Sequence, residues 1–153
     1  MYNAQKQTKA TGSDYSATFG AYDFTGSDEV NVSYNNGPIA ASYTNLKQKA
    51  ADGSSTTFDT LGANYALGAA KLFVLLQNTK NSAGTTDNSY VALSGTYTMG
   101  ATTLMASAGT FENKAGAKSK LAALGADYAL SKRTAVYARY ESIDDKAGVA
   151  ANP

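Results

Sequence analysis

Hydrophobic and small polar residues alternate along most of this chain with a period of two. The segment 57–78, TFDTLGANYALGAAKLFVLLQN, shows the pattern most clearly. Leu61, Ala63, Tyr65 and Leu67 alternate with Thr60, Gly62, Asn64 and Ala66. Beyond Gly68, the residues Ala70, Leu72, Val74 and Leu76 fall on one side. Such alternation marks a strand with one apolar and one polar face, so the segment predicts a β-hairpin folded at Leu67-Gly68. The unit recurs. Tyr34 stands three residues before Gly37, Tyr65 before Gly68, Tyr97 before Gly100, and Tyr128 before Ser131, at steps of 31, 32 and 31 residues. A fixed period of this size marks a repeat architecture, here built from hairpins.

Taken in order, residues 1–14 are polar and predict a loop or frayed end. Strands are expected at Tyr15–Phe24, Asp28–Asn35 and Ile39–Asn45, the last two joined at Asn36-Gly37, a strong hairpin signal. Pro38 is expected at the first position of the returning strand, where proline is tolerated. Hydrophilic loops follow at Lys47–Thr56, Thr79–Asn88 and Glu112–Lys118. Between them lie Ser89–Met99, a return beginning at Thr102, Ser119–Leu130, and a return from Thr134 to Tyr140. Residues 144–153 again look like loop. The expected fold is all-β: an antiparallel up-and-down meander of about 8–9 strands in a single domain spanning 1–153. One stretch resists the pattern. Phe73 and Leu75 are apolar on the polar side of their strand, which calls for a bulge, a covering loop, or burial inside a soluble sandwich.

Composition narrows the chemistry. The chain of 153 residues has neither Cys nor His, which removes disulfides, thiolate chemistry, zinc sites and the usual general base. Its net charge of +1 offers nothing to nucleic acid. No metal, cofactor or phosphate-loop motif is present, and enzyme activity is not expected. No apolar run is long enough for a transmembrane helix. No signal peptide is visible, which suggests a mature or internal segment. Strand length matters more. A tilted strand needs roughly 9–11 residues to cross a bilayer, and the alternation of tight turns with longer polar loops matches a transmembrane barrel with short periplasmic turns.

Specific residues carry a resemblance. The run Leu124-Gly125-Ala126-Asp127-Tyr128-Ala129-Leu130-Ser131-Lys132-Arg133-Thr134, followed by Val136-Tyr137-Ala138, resembles the next-to-last hairpin of trimeric general porins of the β-proteobacterial type. Tyr34-Asn35-Asn36-Gly37-Pro38-Ile39 resembles an earlier hairpin of the same family. The likeness covers residues 15–141. It implies an antiparallel transmembrane barrel of about 16 strands, assembled as a homotrimer in the Gram-negative outer membrane. It also implies passive diffusion of small hydrophilic solutes and ions through a pore narrowed by an inward-folded loop. Lipid and lipopolysaccharide would be its surroundings, and no cofactor is implied. Nine expected strands, and a chain ending away from a terminal aromatic strand, suggest a C-terminal-half fragment lacking the last strand.

On this reading Asp59, Lys71, Asp127, Arg139 and Glu141 are candidate pore-lining residues, with Arg139 and Glu141 placed to pair. Tyr34, Tyr65, Tyr97 and Tyr128 are candidates for a periplasmic aromatic girdle. Each has an alternative: solvated charges on the open face of a soluble sheet, and core aromatics of a β-sandwich. A small non-channel barrel or adhesin acting through its loops is a further alternative. Asp28-Glu29 and Asp144-Asp145 could approach a divalent cation, although adjacent loop acids are usually just solvated.

Overall fold

The computed structural model describes residues 2–8 and 24–148, with side chains described for 26–148. Among the described residues nine strands follow one another in a single antiparallel sheet whose spatial order equals the chain order. They are β1 (Tyr2–Thr8), β2 (Phe24–Asn36), β3 (Ile39–Ala50), β4 (Ser55–Leu67), β5 (Ala70–Asn81), β6 (Asp87–Met99), β7 (Thr102–Glu112), β8 (Lys118–Ser131) and β9 (Thr134–Asp145). The expected meander is present, with differences at its ends. Residues 2–8 were expected in a loop, but they form β1, paired to β2 from Tyr2↔Val32 to Thr8↔Gly26. The expected strand at Tyr15–Phe24 lies outside the described residues except for Phe24, which opens β2. Asp144 and Asp145, expected in the final loop, close β9.

The polar connections are shorter than their composition implies. The expected loops at 47–56, 79–88 and 112–118 shrink to residues 51–54, 82–86 and 113–117, because the polar flanks continue the strand ladders. Strand pairing requires backbone partners, and apolar side chains are not needed where a ladder runs out into water. Each remaining turn is closed by its own polar side chain. Asp52 Oδ1 accepts from Ser54 N at 2.8 Å, Asn81 Oδ1 from Thr86 N at 2.8 Å, and Asn113 Oδ1 from Ala115 N and Ala117 N at 3.0 Å. These are the local bonds that Asp and Asn favour in turns. The Asp52 carboxyl is held below its ordinary pKa by the bonds it accepts from Ser54.

At the opposite end four connections are two residues long, and three of them begin with glycine: Gly37-Pro38, Gly68-Ala69 and Gly100-Ala101. Their glycines have φ of 55°, 58° and 57°, and no non-glycine residue described has positive φ. Positive φ at the first central residue alone is the II′ pattern, whose twist suits a hairpin. The turn expected at Asn36-Gly37 is therefore shifted by one. Asn36 ends β2 opposite Ile39, and Pro38 takes the second turn position rather than the first strand position. The fourth short turn, Lys132-Arg133, has no glycine and follows an irregularity between Ala129 and Ser131.

One rung of the sheet runs through Ile39, Tyr65, Leu72, Gly95, Ala106, Leu124 and Tyr140. Ile39 is the first residue of β3, Leu72 the third of β5, Ala106 the fifth of β7 and Tyr140 the seventh of β9. The register thus climbs one residue per strand. At about 3.3 Å per residue and about 4.8 Å between strands, this corresponds to a tilt of about 35°, in the range of transmembrane barrels.

Among the described residues no apolar side chain is buried, and only Ser119 is, at 7% exposure. The described residues form no second sheet to pack against. The soluble β-sandwich alternative needs an inter-sheet core, and the described residues supply none. Gly68→Val forces a β-branched residue to positive φ and is expected to cost about 1–2 kcal/mol, read as a lower urea midpoint for the detergent-refolded protein. Ala69→Val, at the neighbouring position, should leave the midpoint near wild type.

Candidate functional site

Because neighbours across an antiparallel ladder share a face, the registers sort every strand residue onto one of two sides. The first side carries Val30, Val32, Ile39, Leu61, Leu72, Val74, Leu93, Leu104 and Leu124, between 36% and 62% exposed. Tyr34, Tyr65, Tyr97 and Tyr128 stand on this side, each at the end of the band nearest the two-residue turns and 42–55% exposed. At the opposite end the same side bears acid–base pairs across the hairpins. Lys49 Nζ lies 2.6 Å from Asp28, Lys118 Nζ 3.2 Å from Glu112, and Lys80 Nζ 3.7 Å from Asp87. The apolar side is thus a band between an aromatic edge and a charged edge.

Asp59 belongs to this side. It shares parity with Leu61 and sits opposite Asn45 and Asn78. Its Oδ1 accepts from Tyr43 Oη at 2.6 Å and Asn45 Nδ2 at 2.7 Å. Its assignment to the pore-lining set is therefore corrected: period two places it with the apolar residues, at their charged edge. The paired acids Asp28-Glu29 and Asp144-Asp145 are also separated by their strands. Asp28 and Asp144 face the apolar side, and Glu29 and Asp145 the other, so neither pair can converge on one cation.

The second side is built of small and polar residues: Ser33, Asn35, Ser42, Asn64, Ser94, Thr96, Ser107 and Ala123 among them. Lys71, Asp127, Arg139 and Glu141 all lie here, with Lys71, Thr96, Met105, Gly125 and Arg139 on one rung. Lys71 and Glu141 make no ion pair among the described residues. Arg139 does not pair with Glu141 as expected. Its Nη1 meets Asp127 Oδ1 at 2.7 Å, across the ladder to β8. Period two sets Glu141 alongside Arg139 on one strand, but the register puts Asp127 within closer reach. Both partners are partly exposed, at 46% and 35%, so solvent screens the pair and it adds little to stability.

Phe73 and Leu75 are on this side too, and β5 carries no bulge to turn them away. Leu75 stands opposite Gly62, where a Cβ would lie 4.0 Å from its Cδ1, an ordinary van der Waals distance. Tyr90 lies over Gly109, where an added Cβ would stand 3.1 Å from the hydroxyl. At Gly109 the missing Cβ lets a long side chain lie along the wall rather than stand from it, a role that composition alone does not reveal.

Comparison with known proteins now decides the family: the description Gram-negative porin matches residues 1–148. The chain belongs to the Gram-negative porin family. Membership places it in the outer membrane of a Gram-negative cell. It is 33% identical over 150 residues to outer membrane porin protein 32 of Delftia acidovorans, covering 93% of this chain and 40% of that protein. The solved anion-selective porin from Comamonas acidovorans superposes with a TM-score of 0.73 at 31% identity, over 95% of this chain and 46% of that one. A porin refined at 1.8 Å resolution shares the fold with a TM-score of 0.76 at 16% identity, over 94% of this chain and 52% of that one. The chain spans about half the length of these relatives or less.

If the two sides meet different solvents, adjacent residues must respond oppositely to charge. Leu93→Arg, in the apolar band, is expected to lower the stability of the bilayer-inserted porin by about 2–4 kcal/mol. Ser94→Arg, one residue along and on the other side, should leave it within about 0.5 kcal/mol of wild type. Denaturant titration of both variants in lipid vesicles checks the contrast.

Proposed function

We propose that this chain forms part of the wall of a water-filled channel for passive diffusion of small hydrophilic solutes and ions. The observation that carries the reading is the two-sided sheet. Its apolar side is exposed and unpartnered, and its other side is small and polar. Such a wall is stable where one side meets hydrocarbon and the other water. Among the described residues no group of His, Cys, Asp or Glu side chains could hold a metal ion, and it is the family membership that favours transport over catalysis as the proposed activity.

The finer parts of the proposal follow the band. Tyr34, Tyr65, Tyr97 and Tyr128 sit at one headgroup level, where the ring body suits acyl chains and the hydroxyl suits water. That level is the periplasmic one, since barrels of this class turn tightly there. The lysine–acid edge then lies at the outer leaflet, where Lys49, Lys80 and Lys118 meet the phosphates of lipopolysaccharide. A homotrimer is the proposed assembly, as in other porins. On the water side Lys71, Asp127, Arg139 and Glu141 are the proposed pore-lining residues. A ring of charged side chains biases which ions pass.

Lys71, which makes no ion pair among the described residues and stands on the polar side opposite Thr96, is the clearest candidate for a direct effect on permeating ions. In planar bilayers under a potassium chloride gradient, the whole protein is expected to show ohmic conductance. Lys71→Glu should move the reversal potential toward the potassium equilibrium potential, whereas Asp59→Asn, on the lipid side, should leave it unchanged. A protein that inserts as a folded barrel but carries no current would refute the channel reading.

A further inference from the structure

Arg139 is held against the wall in an unusual way. It stands directly opposite Gly125 across the β8–β9 ladder, and Tyr137 stands opposite Asp127. Its side chain does not project from the sheet. It lies across Gly125: a Cβ built there would meet Arg139 Cδ at 2.8 Å and both Nε and Nη1 at 3.1 Å. The far end is fastened at several points. Nη1 meets Asp127 Oδ1 at 2.7 Å and donates to the carbonyls of Ala126 at 3.2 Å and Ala138 at 3.0 Å. The guanidinium carbon lies 5.3 Å from the centre of the Tyr137 ring, within cation–π range.

We infer that Gly125, Asp127 and Tyr137 form a clasp that stows the Arg139 guanidinium flat on the channel wall, so that its charge is cancelled and its bulk is kept out of the permeation path. The inference rests on the channel reading above. Its physical basis is twofold. A cation and a carboxylate in contact present a dipole to the lumen, whose field falls off faster than that of either charge and is screened by salt within about 8–10 Å. An arginine standing free would instead narrow the pore and attract anions. The missing Cβ at position 125 decides between these states, because a methyl group there occupies the space the side chain now crosses. Gly125 and Asp127 are therefore specificity-determining through Arg139, and Lys71 remains the exposed cation of the rung.

The test is a set of variants of the whole protein, recorded as single channels in planar bilayers under a potassium chloride gradient. Gly125→Ala leaves every charge in place but evicts Arg139. It should lower the single-channel conductance and shift the reversal potential toward the chloride equilibrium potential. Adding Arg139→Gln to Gly125→Ala should abolish both changes relative to Arg139→Gln alone. Persistence of the Gly125→Ala effect without the arginine, or no effect at all, overturns the inference, because the glycine would then act through strand shape or not act. Asp127→Asn keeps side-chain volume and serves if the alanine variant does not assemble. Its shift toward chloride should be larger with Arg139 present than in the Arg139→Gln background, and equal shifts overturn the clasp. Wild-type protein that conducts while the variants match it refutes the clasp alone. Wild-type protein that carries no current refutes the channel reading and the clasp together.

Discussion

Every peptide group in a lipid-embedded wall must find its hydrogen-bond partner inside the protein, since hydrocarbon supplies none and each orphan costs several kcal/mol. That requirement explains why residues 24–145 form one continuous ladder. From β2 to β9 each strand pairs along almost its whole length with the next in sequence, joined by connections of two to five residues. In a soluble protein such a sheet would be held by a buried apolar layer, and none exists among the described residues. Backbone pairing therefore bears the stability, and the side chains are left free to match their solvents. The same ladder fixes the register climb and hence the strand tilt that a closed barrel needs.

Freed from packing a core, the two sides diverge. The apolar side grades along the strand from tyrosines through aliphatic residues to lysine–acid pairs, the order of environments met in crossing a membrane. The water side is kept low by composition and by its glycines. Tyr90 over Gly109 and Arg139 over Gly125 are two uses of one device: a residue without Cβ on the neighbouring strand makes room for a long side chain along the wall. Strand glycines cost conformational entropy, and at Gly109 and Gly125 that cost is set against a long side chain laid along the wall.

Much of this was legible in the residues. Period two, the tyrosine spacing and the Gly37, Gly68 and Gly100 turns define the hairpins and their faces without coordinates. What escaped did so for physical reasons. Tyr2–Thr8 has no apolar alternation, and only its pairing to β2 makes it a strand. The strand ends at 47–50 and 79–81 are polar because they run beyond the apolar band, so composition assigns them to loops. Gly53, Gly84 and Gly116, all with positive φ, repeat at the same period as the short-turn glycines and lie within the three polar loops, a periodic signal that the sequence carries. The face of Asp59 follows from its parity with Leu61 and needed no structure. The partner of Arg139 could not be read from sequence, because it depends on a register set by the irregularity at Ala129–Ser131.

The central claim is that alternate residues of each strand face lipid and water. The chain has no cysteine, so single cysteines introduced along β6 from Val91 to Thr98 report on one position each. In vesicles, a membrane-impermeant charged thiol reagent is expected to label positions 92, 94, 96 and 98. A fluorophore at 91, 93, 95 and 97 is expected to be quenched by brominated lipid chains. Labelling that alternates with the opposite phase, or that shows no alternation along the strand, would contradict the account.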